Sequence, residues 1–465
     1  MTRVEYLSSL DASFLQLEND TQQMHVGSMF ILDGPRPDYQ DFCDHIASRL
    51  DAVPRYRQRV KRMPFDIARP YWVDDPHFSI AYHLRHTAIP SPGGEVELRT
   101  LAGRIMSQRL DLDRPLWEIW LVEGLPEDRW AVINKVHHAM IDGVSGHDVV
   151  ERLLDRDPDV PPASAGPWRP EAGPSTVELL SSGASWAARL PGEALRAAAT
   201  ASESPSSVLR GARTRAVGLA HVGRQAASPT TVLNGPLGPH RRWAWARADL
   251  GDIKAVKDAT GCTVNDVVLA GVAGGFRTYL LARGESVDDD LVRSLVPVSV
   301  RQADQRGRLG NQVTAMFADL PVGVADPMER LSAVADQMAH LKSSGMAVGV
   351  QSMLSAADFV PPTLMTLGAR VAVTVGQRVV NTVTTNIPGP QYPLYLLGRR
   401  LLEMFPYIPI GQDIRISIGI VSYDGHIAIA ATGDYDAVSD LDLLCEGIED
   451  ALAELVSIVS GRTGK

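Results

Sequence analysis

The residues of this 465-residue chain best suited to chemistry are concentrated in one short run, His137-His138-Ala139-Met140-Ile141-Asp142-Gly143. A histidine with its ordinary pKa near ~6.5 is mostly neutral at physiological pH and can take a proton from a hydroxyl that attacks a carbonyl. Two adjacent histidines on a turn cannot point the same way, so one can face a cleft while its neighbour packs. Asp142 and Gly143 suggest a tight turn whose aspartate orients the loop through a salt bridge. Two other readings stand beside this one. The pair can be surface or core filler, and His137, His138, Asp142 and His147 could ligate a metal, although their spacings match no common zinc pattern.

The elements around the run must hold it in place. Trp130 to Val136 is rich in β-branched and apolar residues and is expected to be a mostly buried strand, which puts the histidine pair at a strand end. His147 to Leu154 repeats apolar residues at helical spacing, as does Gln40 to Leu50 with Phe42, Ile46 and Leu50 on one face. Prolines then crowd residues 156–175, a linker signal, and residues 176–225 are Ala-, Ser-, Leu- and Arg-rich, suggesting a helical segment. From Arg242 the alternation resumes. Helices are expected over Gly251 to Lys257 and Asn265 to Leu281. Strands are expected over Leu291 to Val300, Gln312 to Leu320, Val379 to Thr385, Ile414 to Ser422 and Ile427 to Thr432. The chain is therefore read as α/β, with halves at 1–155 and 241–465 joined by a connector at 156–240.

Composition narrows the function classes. A formal net charge of -10 argues against nucleic acid as a partner, because phosphate binding needs a basic surface. A local basic patch could still serve an anionic ligand. Cys43, Cys262 and Cys445 are too few and too scattered for a disulfide framework or a four-cysteine zinc site, and they suit a reducing, cytoplasmic setting. The opening Met-Thr-Arg-Val-Glu-Tyr-Leu has no signal-peptide core, and no apolar run reaches the roughly 20 residues of a membrane span. The best candidate, Val267 to Phe276, is glycine-rich and stops at Arg277.

His-His-Ala-Met-Ile-Asp-Gly resembles the His-His-x-x-x-Asp-Gly signature of the coenzyme-A-dependent acyltransferase superfamily. More narrowly, the chain resembles the bacterial wax ester synthase/diacylglycerol acyltransferase family. The resemblance covers almost the whole length outside the connector. It runs through Leu10-Asp11-Ala12-Ser13-Phe14-Leu15, Met24-His25-Val26-Gly27 and Arg114-Pro115-Leu116-Trp117. It continues through Asn265-Asp266, Pro297-Val298-Ser299-Val300-Arg301, Gly310-Asn311 and Thr385-Asn386-Ile387-Pro388-Gly389-Pro390.

The resemblance implies two chloramphenicol-acetyltransferase-like halves forming a pseudo-dimer with a central channel, and His138 as the general base, with His137 packing beside it. It implies a structural ion pair between Asp142 and an arginine. Arg55, Arg57 and Arg59 would share one face if extended, and Arg57 is the favoured partner, against the alternative of a solvated basic face. Asn265 is the first candidate oxyanion donor, unless Thr263 or Asn265 merely caps its helix. Gly143, Arg301, Thr384, Thr385 and Asn386 are candidate substrate-binding positions, with Arg301 either meeting a coenzyme A phosphate or holding a loop. The implied activity is diacylglycerol O-acyl transfer from acyl-coenzyme A, with wax ester synthesis from long-chain alcohols as a second. No metal and no cofactor is expected, acyl-coenzyme A being a co-substrate. A monomer is expected, attached peripherally to a membrane or lipid-droplet surface. Rival readings are a same-fold enzyme using polyketide or carrier-bound acyl groups, and a non-catalytic lipid-binding protein.

Overall fold

Two six-stranded sheets carry the chain, and alternation along their strands decides which core each side chain enters. The computed structural model describes residues 4–63, 69–140, 152–160, 166–175, 177–179, 232–287, 292–299, 313–343 and 380–463. The first half runs β1 (Glu5–Tyr6), α1 (Ser9–Leu17), β2 (His25–Leu32), α2 (Tyr39–Arg49), β3 (Gln58–Lys61) and β4 (Tyr71–Asp74). It continues through α3 (Ile80–His83), β5 (Leu84–Ala88), α4 (Glu95–Ser107), β6 (Trp117–Glu123) and β7 (Trp130–His137). The second half runs β8 (Arg241–Asp249), α5 (Leu250–Thr260), α6 (Val264–Ala282), β9 (Val292–Ser299), β10 (Val313–Leu320) and α7 (Pro327–Ser343). It ends with β11 (Thr382–Pro388), β12 (Tyr395–Leu396), β13 (Arg399–Tyr407), β14 (Ile416–Tyr423), β15 (His426–Asp434) and α8 (Leu441–Thr463).

The strand orders are β12-β13-β2-β7-β6-β5 in one sheet and β10-β9-β11-β14-β15-β8 in the other, with β1-β4-β3 as a small third sheet. The fold is therefore mixed α/β, as expected. One feature of the connectivity was not expected. β12 and β13 come late in the sequence yet join the first sheet, where β13 pairs antiparallel with β2 and sets Phe405 opposite Met29. The second half thus completes the sheet of the first.

The second sheet shows why both faces must be apolar. Along β8, Ala244 and Ala246 enter the core beneath α5, α6 and α8, while Trp243 and Trp245 enter the core of the first half. Along β15, Ile427, Ile429 and Ala431 take the first course and Ala428 and Ala430 the second. This is the two-residue period of a strand buried on both faces. Trp245 stacks on Phe405 of β13 with ring centroids 4.4 Å apart, and Trp243 meets Tyr407 edge-on at 5.3 Å. The two six-stranded sheets are held together by aromatic packing between β8 and β13, both supplied by the second half, a contact large in buried area and specific in geometry.

The glycine-rich stretch of α6 is a close helix contact. A Cβ on Gly275 would lie 2.3 Å from the Ile448 Cγ1 and 3.0 Å from backbone atoms of Ile448 and Leu444 on α8. Among the described residues no helix is long and apolar enough to cross a membrane. Residues 147–151 and nearly all of 176–225, for which helices were expected, lie outside the described residues. Because α6 and α8 touch backbone to backbone, Gly275→Leu should destabilise the protein by about 1–3 kcal/mol or more through overpacking. Urea denaturation measures this, and an unchanged midpoint would show that the helices can part at no cost.

Candidate active site

β7 lies between β2 and β6, and all eight of its residues are buried. Its register with β2 sets His25 directly opposite His137 and Val26 opposite Val136. Gly27 lets the strands meet: a Cβ there would fall 2.3 Å from the Asn134 carbonyl oxygen. The His137 N–H donates to the Leu116 carbonyl at 2.9 Å and the His138 N–H to the Met24 carbonyl at 2.8 Å. The strand then turns into a single 3-10 turn, His138–Met140. Lys135, wholly buried in β7, caps the end of α4 by donating to the carbonyls of Ile105 (3.0 Å) and Gln108, and burial pushes its pKa down to about 8.

The two histidines of the pair differ in setting. His138 is half-buried, and its ring stacks on Phe14 of α1 with centroids 3.9 Å apart and planes 25° from parallel. Its Nδ1 is buried and has no hydrogen-bond partner among the described residues. Burial holds the His138 pKa below the ordinary 6.5, and its own backbone carbonyl acts more weakly in the opposite direction. The ring is therefore neutral at pH 7. His137 is fully buried, and its Nδ1 accepts the Ala139 N–H at 3.0 Å. Its pKa falls to about 3, chiefly from burial; Glu18 opposes the shift, and His25 and His138 add to it.

Behind the pair sits a cluster whose role the sequence reading did not assign. Glu18, with its side chain 1% exposed, places Oε1 3.3 Å from His25 Nε2 and Oε2 3.8 Å from His137 Nε2. Arg109 Nη2 lies 3.6 Å from Glu18 Oε2. The His25 and His137 rings meet edge-on at 6.0 Å. Burial and the nearby Lys135 ammonium hold the His25 pKa well below 6.5. The segments around Phe14 and His25 carried the family resemblance, but only the strand pairing shows that both converge on the histidine pair.

Other candidates are distributed as follows. Asp142, Gly143 and Arg301 lie outside the described residues. Arg55, Arg57 and Arg59 do not share an extended face, because Pro54–Arg57 forms a 3-10 turn before β3 begins. Arg55 pairs with Glu5, buried Arg57 pairs with Asp51 and lies over the Trp168 ring, and Arg59 approaches Asp75 at 3.8 Å. Arg57 therefore has an ionic partner other than the one expected for it.

Asn265 and Asn386, far apart in sequence, come together: the Asn386 Nδ2 donates to the Asn265 Oδ1 at 3.1 Å. Thr263, not Asn265, caps α6, accepting the Asp266 N–H at 3.2 Å while the Asp266 carboxylate accepts the Thr263 N–H at 2.9 Å. Thr384 is buried and accepts a hydrogen bond from Ser294 at 2.8 Å, whereas Thr385 and Asn386 are half-buried. Among the described residues no group of three or more histidine, cysteine or acidic side chains could hold a metal.

Residues 7–268 match the family described as the wax ester synthase/diacylglycerol acyltransferase catalytic domain, and residues 309–456 match the C-terminal domain of the same family. The chain is 33% identical over 468 residues to a Mycobacterium tuberculosis protein named a probable diacylglycerol O-acyltransferase, covering 99% of this chain and 97% of that protein. In structure it is similar to the wax ester synthase/diacylglycerol acyltransferase of Marinobacter aquaeolei, with a TM-score of 0.68 at 26% identity, over 98% of this chain and 100% of that one. A condensation domain of the calcium-dependent antibiotic synthetase shares the fold, with a TM-score of 0.62 at 20% identity over 98% of this chain and 96% of that one.

The buried histidines make stability depend on pH with a definite sign. His25, His137 and His138 all have folded pKa values below 6.5, so below that pH the unfolded chain binds protons that the folded chain refuses. The contribution of these rings should be constant well above pH 6.5 and be lost as pH drops through it, continuing toward the folded value of about 3 for His137. Thermal midpoints between pH 7.5 and 5, above most carboxylate titration, measure this slope. A midpoint that holds steady or rises on acidification across that window would show that these rings are not buried neutral.

Proposed function

We infer the function from one premise: the chain belongs to the wax ester synthase/diacylglycerol acyltransferase family. It is an O-acyltransferase that moves a fatty acyl group from coenzyme A to the free hydroxyl of diacylglycerol, making triacylglycerol. Long-chain alcohols are its second class of acceptor, giving wax esters. The observation that carries the assignment of His138 as the base is its ring: buried at Nδ1, flat against Phe14 and held neutral at pH 7.

His138 takes the hydroxyl proton as the acceptor oxygen attacks the thioester carbonyl carbon. The carbon–sulfur bond then breaks, and the imidazolium returns the proton to the departing coenzyme A thiolate. No covalent acyl-enzyme is required. The tetrahedral oxyanion needs a fixed donor. The Asn265–Asn386 contact supports Asn265 in that part: its Oδ1 accepts from Asn386, and its Nδ2 has no partner among the described residues, so it can donate outward. Thr385 and Asn386, half-buried beside it on β11, are suited to line the acyl donor's path. Asp142, Gly143 and Arg301 keep the parts that the family pattern gives them. The protein needs no bound cofactor, because coenzyme A arrives with the substrate, and it acts as a monomer.

His138→Ala should lower kcat by about 10²–10⁴-fold in a protein that still folds, the usual cost of losing a general base. His137→Ala should cost less in kcat at equal folded fraction. Radiolabelled oleoyl-coenzyme A with diolein measures both, and a dead His137 variant beside an active His138 variant would reverse the two roles.

The diacylglycerol acceptor is insoluble in water, so the enzyme works at a lipid surface, attached peripherally through exposed apolar residues and local arginines and not through its acidic bulk. The arginine-bearing connector at 176–225 is the proposed contact, each arginine contributing about 1 kcal/mol toward anionic lipid. Its arginine-to-glutamine variant should float with anionic vesicles less than the wild type at low salt. Equal flotation of the two would remove the connector from the account.

A further inference from the structure

We infer that Glu18 is a positioning residue for His138, holding the His137 ring and, through that ring, the turn that carries the base. The inference rests on the reading of His138 as the base. Glu18 stands one residue past α1, its N–H donating to the Phe14 carbonyl at 3.2 Å, so a single helix end brings Phe14 to one histidine and Glu18 to the other.

The proton on His137 shows what the carboxylate does. The Ala139 N–H donates to His137 Nδ1, so that nitrogen offers a lone pair. A neutral imidazole then carries its proton on Nε2, and Nε2 faces Glu18 Oε2 at 3.8 Å. The other carboxylate oxygen faces His25 Nε2 at 3.3 Å, and Arg109 closes the cluster at 3.6 Å. Both Glu18 oxygens and both facing ring nitrogens are buried and make no hydrogen bond among the described residues, so the carboxylate acts on the two rings through its charge at 3.3 and 3.8 Å. Buried polar atoms left without hydrogen bonds are costly, and here the charge of the carboxylate facing the ring nitrogens offsets that cost.

A carboxylate in this place favours one His137 tautomer and one ring orientation, the arrangement seen when an outer partner orients a functional imidazole. That orientation presents Nδ1 to Ala139, the central residue of the His138–Met140 turn. The His138 N–H, bonded to Met24 beside His25, fixes the other end of the same turn. Loss of the facing carboxylate should let the His137 ring rotate and the turn relax, moving His138 away from its attack position while leaving the surfaces that bind substrate intact. Misplacements of about 1 Å cost on the order of 100-fold in rate.

The test uses the full chain with Glu18→Leu, which removes the charge and both oxygens at similar volume, and Glu18→Gln, which removes the charge but keeps one carbonyl oxygen as a partial negative end. Each is made alone and with His138→Ala, and kcat and KM are measured with oleoyl-coenzyme A and diolein, corrected for folded fraction. Glu18→Leu should lower kcat by about 10–100-fold with KM within about twofold, Glu18→Gln should retain more activity than Glu18→Leu, and neither should lower the residual rate of the His138→Ala chain further. A wild-type kcat for Glu18→Leu, equal losses for Leu and Gln, or a loss that persists undiminished without His138 would each overturn the inference and leave the base assignment standing. A fully active His138→Ala chain would instead remove the base assignment, and this inference with it. If Glu18→Leu does not fold, Glu18→Gln decides in the same two backgrounds. A kcat loss that disappears in the His138→Ala chain supports the inference, and no loss, or the same loss in both, overturns it.

Discussion

The antiparallel pairing of β2 with β7 is the constraint from which the candidate site follows. It sets His25 opposite His137 and puts the strand end, where His138 emerges, beside the Met24 carbonyl that receives its N–H. The pairing brings polar rings into a strand with no exposed residue, and that burial would be costly if the rings had to ionise. They do not ionise near neutrality: His25, His137 and His138 are all held below their ordinary pKa by desolvation. The interior admits three imidazoles because it admits them neutral, and a neutral imidazole is also the form that accepts a proton.

Sheet one is closed on its other side by strands borrowed from the second half. β13 lies against β2, and its Phe405 and Tyr407 meet Trp245 and Trp243 of β8. The register that holds the histidines is thus buttressed by residues nearly four hundred positions away. A strand of this kind cannot slip by one residue without sending its core side chains to the wrong face. The site inherits that rigidity, which is useful where a base must hold its position to within a fraction of an ångström.

Local signals made much of this legible in the sequence. The apolar β-branched run ending at His137 predicted β7 and the strand-end place of the pair, and helical spacing located α2 and α6 to within a few residues. Long-range pairing was not legible. Nothing in the pattern of Arg399–Tyr407 distinguishes a strand of the second sheet from one lent to the first, because its buried apolar end, Met404 to Tyr407, would suit either sheet. Arg57 shows a similar failure: alternation of three arginines suggested an extended face, but Pro54 starts a 3-10 turn and the three side chains go to three different acids. Glu18 was passed over because a lone acid at a helix end usually faces water, and only the tertiary contact between α1 and the His138 turn buries it.

Burial also bears on which nucleophile His138 would activate in its proposed role as the base. Water competes with any alcohol for an acyl thioester, and a base open to solvent would promote hydrolysis as readily as transfer. His138 has one face against Phe14 and its Nδ1 enclosed, which restricts approach to the remaining edge of the ring. An acceptor hydroxyl carried on a long apolar body reaches that edge with its chain packed against apolar surface, whereas a water molecule gains nothing from such surface. Selectivity for alcohol over water then needs no dedicated recognition of the hydroxyl. On the proposed role of His138, it follows from placing a neutral imidazole where the apolar part of the acceptor supplies the binding energy, beside the buried Glu18–His25–His137 cluster proposed to position it.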